Sequence, residues 1–202
     1  MANNPHTIHP TALVHPSVIF EGTVTVGAYT RIDAGTVISG KVTIGHHCNI
    51  RCNSTLRGNI TVGNYVHIYD NVCIEGGRPS PADMAGSQTN TEAERGIIGN
   101  FCWINHGATM HGTVMKDRAA VNLNACCDYG TVLEQGAVLA NGSATHVGQV
   151  IPANCFAQGV PAVVTKENIT DEDRSNYFGL VPEKWAKFEG DWTAERIKKG
   201  SA

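Results

Sequence analysis

Charge is scarce in this 202-residue sequence: 16% of residues are Asp, Glu, Lys or Arg, and the net charge is only −3. No basic run is interleaved with aromatic residues, so neither composition nor pattern supports a nucleic-acid partner. Nothing approaches eighteen consecutive apolar residues, which excludes a membrane-spanning helix and with it a membrane partner. The N-terminal MANNPHTIHP has neither a basic start nor an apolar stretch. No secretory signal is therefore expected, and the cytoplasm is the default compartment. A disulfide framework is missing too. The seven cysteines are odd in number and lack zinc-type CxxC spacing, so they read as reduced, buried, small apolar residues. What is abundant is glycine, at 22 residues, beside an apolar fraction of 42%. That balance points to many short strands and turns rather than a helical bundle. The length suits one domain with a substantial core and a small appendage.

Residues 12–77 divide into sixes: ALVHPS, VIFEGT, VTVGAY, TRIDAG, TVISGK, VTIGHH, CNIRCN, STLRGN, ITVGNY, VHIYDN, VCIEGG. The third position is Val14, Phe20, Val26, Ile32, Ile38, Ile44, Ile50, Leu56, Val62, Ile68 and Ile74, all of them apolar. At this apolar content chance would give that outcome less than roughly once in ten thousand, so the repeat is real. One inward side chain per short strand, followed by a turn, closes a triangular coil every eighteen residues. Such coils stack as parallel strands about 4.8 Å apart. Gly45, Gly63, Asn59 and Asn71 fall at corners, where tight or left-handed backbone is needed.

The period breaks over residues 78–95, RPSPADMAGSQTNTEAER, whose third positions Ser80, Gly86 and Glu92 are not apolar. This stretch reads as an extruded loop. The repeat then resumes at Ile98, Ile104 and Met110, drops one residue, and continues from Met115 to Ala157 with Thr145 as its one polar interior position. Beyond Pro161 the pattern changes. Thr170 is a candidate N-cap before an acidic first turn, and Pro182–Lys199 reads as helical, with Trp185, Phe188 and Trp192 spaced to cover an apolar surface. The expected organisation is a β-helix domain over residues 1–165 and a C-terminal helical extension over 166–202, packed on the prism.

The coil fixes which polar residues meet. Arg57 and Glu75 lie one coil apart in one column, and with the loop excised His111 is the next residue up. Asp70 and His106 share a neighbouring column. Glu75 and His111 are thus expected about 5 Å apart, both pointing outward. One carboxylate and two imidazoles suit a divalent metal: zinc first, iron(II) or cobalt as alternatives. His106 stands on a different face, so a neighbouring prism would have to supply it. The Arg57–Glu75 column equally permits a plain ion pair.

The run RGN…VHIYDN…CIEGG…IGNFCWINHGATMHG…GVPAVV resembles the gamma-class carbonic anhydrases, across roughly residues 12–165. That resemblance implies a left-handed β-helix, a homotrimer, and a metal held at the subunit interface by three histidines, two from one chain and one from its neighbour. His106 and His111 match the second and third metal histidines, while Arg57 and Asp70 match the arginine and aspartate that support site and interface. Glu75 replaces the first metal histidine. Asn59 stands for the aspartate after the arginine, Tyr69 for the glutamine before the aspartate, and Asn122 and Asn124 for later glycines. A carboxylate in place of imidazole lowers the effective charge on the metal and makes bound hydroxide less acidic, which points to a retuned chemistry.

The sequence-level expectation is therefore a trimeric metal-dependent lyase or hydrolase acting on a small molecule. Glu75, His106 and His111 would hold the metal, with Arg57, Asn59, Tyr69 and Asp70 around the reacting centre. Two alternatives stand beside it: a coenzyme A-dependent hexapeptide acyltransferase or thioesterase using a histidine as general base, and a non-catalytic trimeric scaffold.

Overall fold

The computed structural model describes residues 6–76 and 96–200. Residues 78–95, expected as an extruded loop, lie outside the described residues. The chain winds as a left-handed parallel β-helix. On the first face, eight parallel strands run in register from Leu13–Val14 through His67–Ile68 and Trp103–Ile104 to Phe156–Gln158. The antiparallel strand Val163–Lys166 closes that edge. The second and third faces join through the eight-residue strands Ile19–Val26, Val37–Ile44 and Thr55–Val62. Each of these bends at a glycine, Gly22, Gly40 or Gly58, held at φ between +88° and +98°. A Cβ on Gly40 would lie 2.5 Å from the Gly58 carbonyl oxygen, so the column tolerates no side chain.

The third residues of the sixes form the core. Ile32, Ile38, Ile50, Leu56, Ile68, Ile74, Ile104 and Met110 are all at most 1% exposed. Burying each such side chain contributes about 1.5–3 kcal/mol. Thr145, the polar exception, shares a 2.6 Å hydrogen bond with Thr131 and accepts one from the Asp128 amide. An interior hydroxyl is acceptable here because both lone pair and proton are used.

Two helices follow the coils. The first, α1 (Asp171–Phe178), opens on Thr170 in a full capping box with Asp173 and ends on Gly179 in the left-handed conformation. The second, α2 (Pro182–Lys198), lies across the first face. Glu183 accepts hydrogen bonds from Arg118 at 2.5 and 3.0 Å. Further along, Arg51 donates to Glu189, the Tyr65 hydroxyl to Asp191, and the Thr193 hydroxyl to Asn49.

The face α2 buries is the one its small residues occupy: Ala186, Gly190, Thr193 and Ala194. Trp185, Phe188 and Trp192 point the other way and are 37%, 54% and 46% exposed. The expectation that these rings cover the prism is thus corrected. Close approach of helix to sheet selects small side chains, because the corner beneath carries a ring stack of Tyr29, His47, Tyr65 and Phe101 with centroids 4.8–5.3 Å apart.

Gly190 marks the tightest contact, where a Cβ would lie 2.6 Å from the His47 carbonyl oxygen. Alanine in mid-helix ordinarily gains about 1 kcal/mol over glycine. A Gly190→Ala variant is expected to reverse that sign, lowering the thermal midpoint and exposing α2 to limited proteolysis. A raised midpoint would show that α2 does not sit this close.

Candidate active site

Register places the site residues. Arg57 pairs with Glu75, and Glu75 with His111, although the latter two are thirty-six positions apart in sequence (111 − 75). Gly96–Ile98 pairs directly with Ile60–Val62, and Thr109–His111 directly with Cys73–Glu75. On this column the same Glu75 oxygen, Oε2, lies 3.2 Å from Arg57 Nη2 and 3.5 Å from His111 Nε2. The structure therefore realises the ion pair and the stacked imidazole together. All three side chains are solvent-facing.

The second column sits at the corner between the first and second faces. Asp70 follows His67–Ile68 by two residues, and His106 follows Trp103–Ile104 by two. His106 Nδ1 lies 3.1 Å from Asp70 Oδ2. The other Asp70 oxygen accepts the Cys52 amide at 3.1 Å, which fixes the carboxylate. Between the two columns the chain turns at His106 and Gly107 and then runs along the strand Thr109–His111. Among the described residues no three metal-binding side chains gather within one chain. His106 and His111 of one prism thus stand in separate columns, each beside its own carboxylate, Asp70 and Glu75.

Tyr69 supports the corner. Its ring lies 4.4 Å from His106, 4.3 Å from His67 and 4.9 Å from Trp103, centroid to centroid. Burial, and then the charge of Glu189, push its phenol up to about 12, so at neutral pH it stays a neutral hydroxyl. Asn122 is buried and takes part in a side-chain ladder: Asn105 Nδ2 donates to Asn122 Oδ1 at 2.7 Å, and Asn105 Oδ1 accepts the His106 amide at 2.9 Å. Asn105 did not stand out in the sequence. Its signal was the dropped residue after Met110, which brings it one coil below Asn122 at a spacing of seventeen.

Other candidates resolve differently. Asn59 begins the descent past Gly58, and its backbone packs on Gly76, with no side-chain role evident. Cys102 is fully buried in the core, whereas Cys73 is half-buried on the second face between the two columns. His67 belongs to the first face under α2 and is 1% exposed. Its Nδ1 is 3.3 Å from Glu189 Oε2, yet neither ring nitrogen makes an aligned hydrogen bond.

No protein-family model matches this chain, and no curated protein matches it. Solved structures do. A Bacillus cereus structure named as a proposed acetyltransferase superposes with a TM-score of 0.68 at 21% identity, covering 97% of this chain and 94% of its own. The UDP-N-acetylglucosamine O-acyltransferase of Moraxella catarrhalis gives 0.62 at 18% identity, covering 84% and 77%. An N-acyltransferase from Bacillus cereus, solved with a dideoxy-amino sugar nucleotide and coenzyme A, gives 0.52 at 16%, covering 86% and 89%. At these identities the likeness establishes a shared fold, the hexapeptide-repeat left-handed β-helix. Among the described residues no helix is long and apolar enough to cross a membrane.

Proposed function

We propose that the chain is a hexapeptide-repeat acyltransferase that works as a homotrimer, with its reaction in the groove between two prisms. The observation that carries this reading is the His106–Asp70 pair. A carboxylate oxygen 3.1 Å from Nδ1 orients the ring and leaves Nε2 on the exposed side of the corner. That is the arrangement a general base requires. An acceptor hydroxyl or amine attacks the thioester carbonyl of an acylated coenzyme A while Nε2 takes its proton. The tetrahedral intermediate then collapses, the carbon–sulfur bond breaks, and the departing thiolate recovers the proton. The shared fold with acyltransferases favours this over the lyase or hydrolase expected from sequence. The facing prism would present its Arg57–Glu75–His111 column to the same groove.

Calorimetric titration with acetyl-coenzyme A tests the reading. Micromolar binding that survives EDTA is expected, together with a slow, acceptor-independent release of coenzyme A that His106→Asn removes. Absence of any binding would overturn it.

A second reading, interface metal chemistry, is favoured by one specific distance. Two ligands of a tetrahedral zinc site lie about 3.3 Å apart, and Glu75 Oε2 and His111 Nε2 are separated by 3.5 Å. Glu75 and His111 of one chain, with His106 of the next, would then hold the ion, and bound metal would supply activated water for hydration or hydrolysis. Arg57 at 3.2 Å competes for the same carboxylate oxygen. Elemental analysis of protein purified without added metal separates the two. One transition metal per chain, lost in His111→Ala, would favour the metal reading. A metal-free protein that also ignores coenzyme A would leave the non-catalytic scaffold.

A further inference from the structure

The helix α1 covers the C-terminal coils of the first face poorly. Its sequence, DEDRSNYF, carries apolar side chains only at the last two positions. Arg174 takes the place where an apolar residue would pack. It is 2% exposed, and its guanidinium donates to the carbonyls of Gly136 and Arg118. Between Arg174 and the rings at the helix end a cavity of about 330 Å³ is left. Its floor is Val138, Phe156 and Ile169. Its walls are Tyr177, set edge-on to both neighbours, at 73° to Phe156 and 86° to Phe178.

Three charged groups border this space: Lys166, Asp173 and Arg174. Asp173 is doubly committed, one oxygen to the Lys166 ammonium and the other to the Thr170 amide and hydroxyl. Lys166 has three donors, and Asp173 accounts for one. Its side chain is 56% exposed at the rim. Arg174 is answered by Glu183 at 3.9 Å, so the group that can receive a further anion is the Lys166 ammonium, through the donors that Asp173 leaves over. Perpendicular rings around an apolar floor favour a flat ring through edge and face contacts.

We propose that this cavity is a binding site for a small aromatic carboxylate, its ring on Val138, Phe156 and Ile169 and its carboxylate on Lys166. The site is separate from the His106 corner and does not depend on the proposed acyl transfer. Its floor lies on the coils of Val138 and Phe156, two and three strands beyond Trp103 on the first face.

Isothermal titration of the purified protein with 2-naphthoate tests this, beside 2-naphthylmethylammonium, a cation of the same shape. Submillimolar binding of naphthoate with a negative heat-capacity change is expected, and at least tenfold weaker binding of the cation. Lys166→Met should weaken naphthoate about tenfold and abolish the discrimination. Asn176→Trp, at the exposed rim on α1, should block entry with the thermal midpoint unchanged. No naphthoate binding by the wild type, equal binding of the two probes, or unimpaired binding by Asn176→Trp would each overturn the proposal.

Discussion

If the proposed acyl transfer is right, a His106→Asn variant is expected to lose between about 100-fold and 10,000-fold in kcat/KM while its thermal midpoint stays close to the wild-type value. The size follows from the role: a positioned base removes a proton as the bond forms, and asparagine keeps the shape without the basicity. Stability changes little because the ring is about half exposed at the corner, touching Tyr69 and Asp70 and none of the core side chains within the coils. Asp70→Ala acts through His106 and also gives up a fixed partner for the Cys52 amide. It is expected to lose less activity than His106→Asn but more stability. Steady-state kinetics and calorimetric unfolding of the two variants separate the roles. An unchanged kcat/KM for His106→Asn would remove it from the chemistry.

The second large effect concerns His67. Burial, with the nearby charges of Arg51 and His106, holds its imidazole down at about 3. The unfolded value is about 6.5. The folded state therefore resists protonation that the unfolded chain accepts, so stability is full above about pH 6.5 and falls as pH drops toward 3. Linkage gives a loss of about 2–3 kcal/mol between pH 6 and pH 4 from this one group.

His67→Phe should abolish that acid slope. At pH 7 it should also leave stability equal or higher, because it replaces two unbonded ring nitrogens by carbon between Tyr69 and Trp103. Urea unfolding at pH 4, 5, 6 and 7 measures both. A slope that persists in the variant would place the titrating group elsewhere. A large destabilisation at pH 7 would show that the 3.3 Å approach to Glu189 is a working hydrogen bond.

Much of the fold was legible because the repeat is a one-dimensional signal. An apolar third position from Val14 to Ile74 needs no long-range knowledge, and counting in eighteens put Glu75 beneath His111 before any coordinates. Thr170 as N-cap was equally local. What failed depended on which side of an element faces its neighbour. The stripe Trp185–Phe188–Trp192 has helical spacing, yet the close approach of the helix to the sheet admits small residues, tightest at Gly190 against His47 and Tyr65.

Composition could not reveal that Glu75 serves Arg57 and His111 at once. Both partners lie in the same column, and only distances separate an ion pair from a ligand set. The chemistry at His106 was read first as metal ligation. A histidine held by an aspartate serves a base and a ligand alike, and the residues alone do not divide the two.

The composite groove, His106 of one prism working against the Glu75–His111 column of the next, is tested most directly by mixing impaired subunits. His106→Asn lacks the base and His111→Asn lacks the imidazole that the facing column would present to the groove, so each protein is expected to be impaired, and unfolding and refolding them together at equal amounts lets chains assort. A groove takes its working His106 from one chain and its working His111 from the other, so about a quarter of grooves should be intact and a comparable fraction of wild-type activity should return. Activity no greater than that of either variant alone, from an assembly shown to contain both chains, would contradict the account.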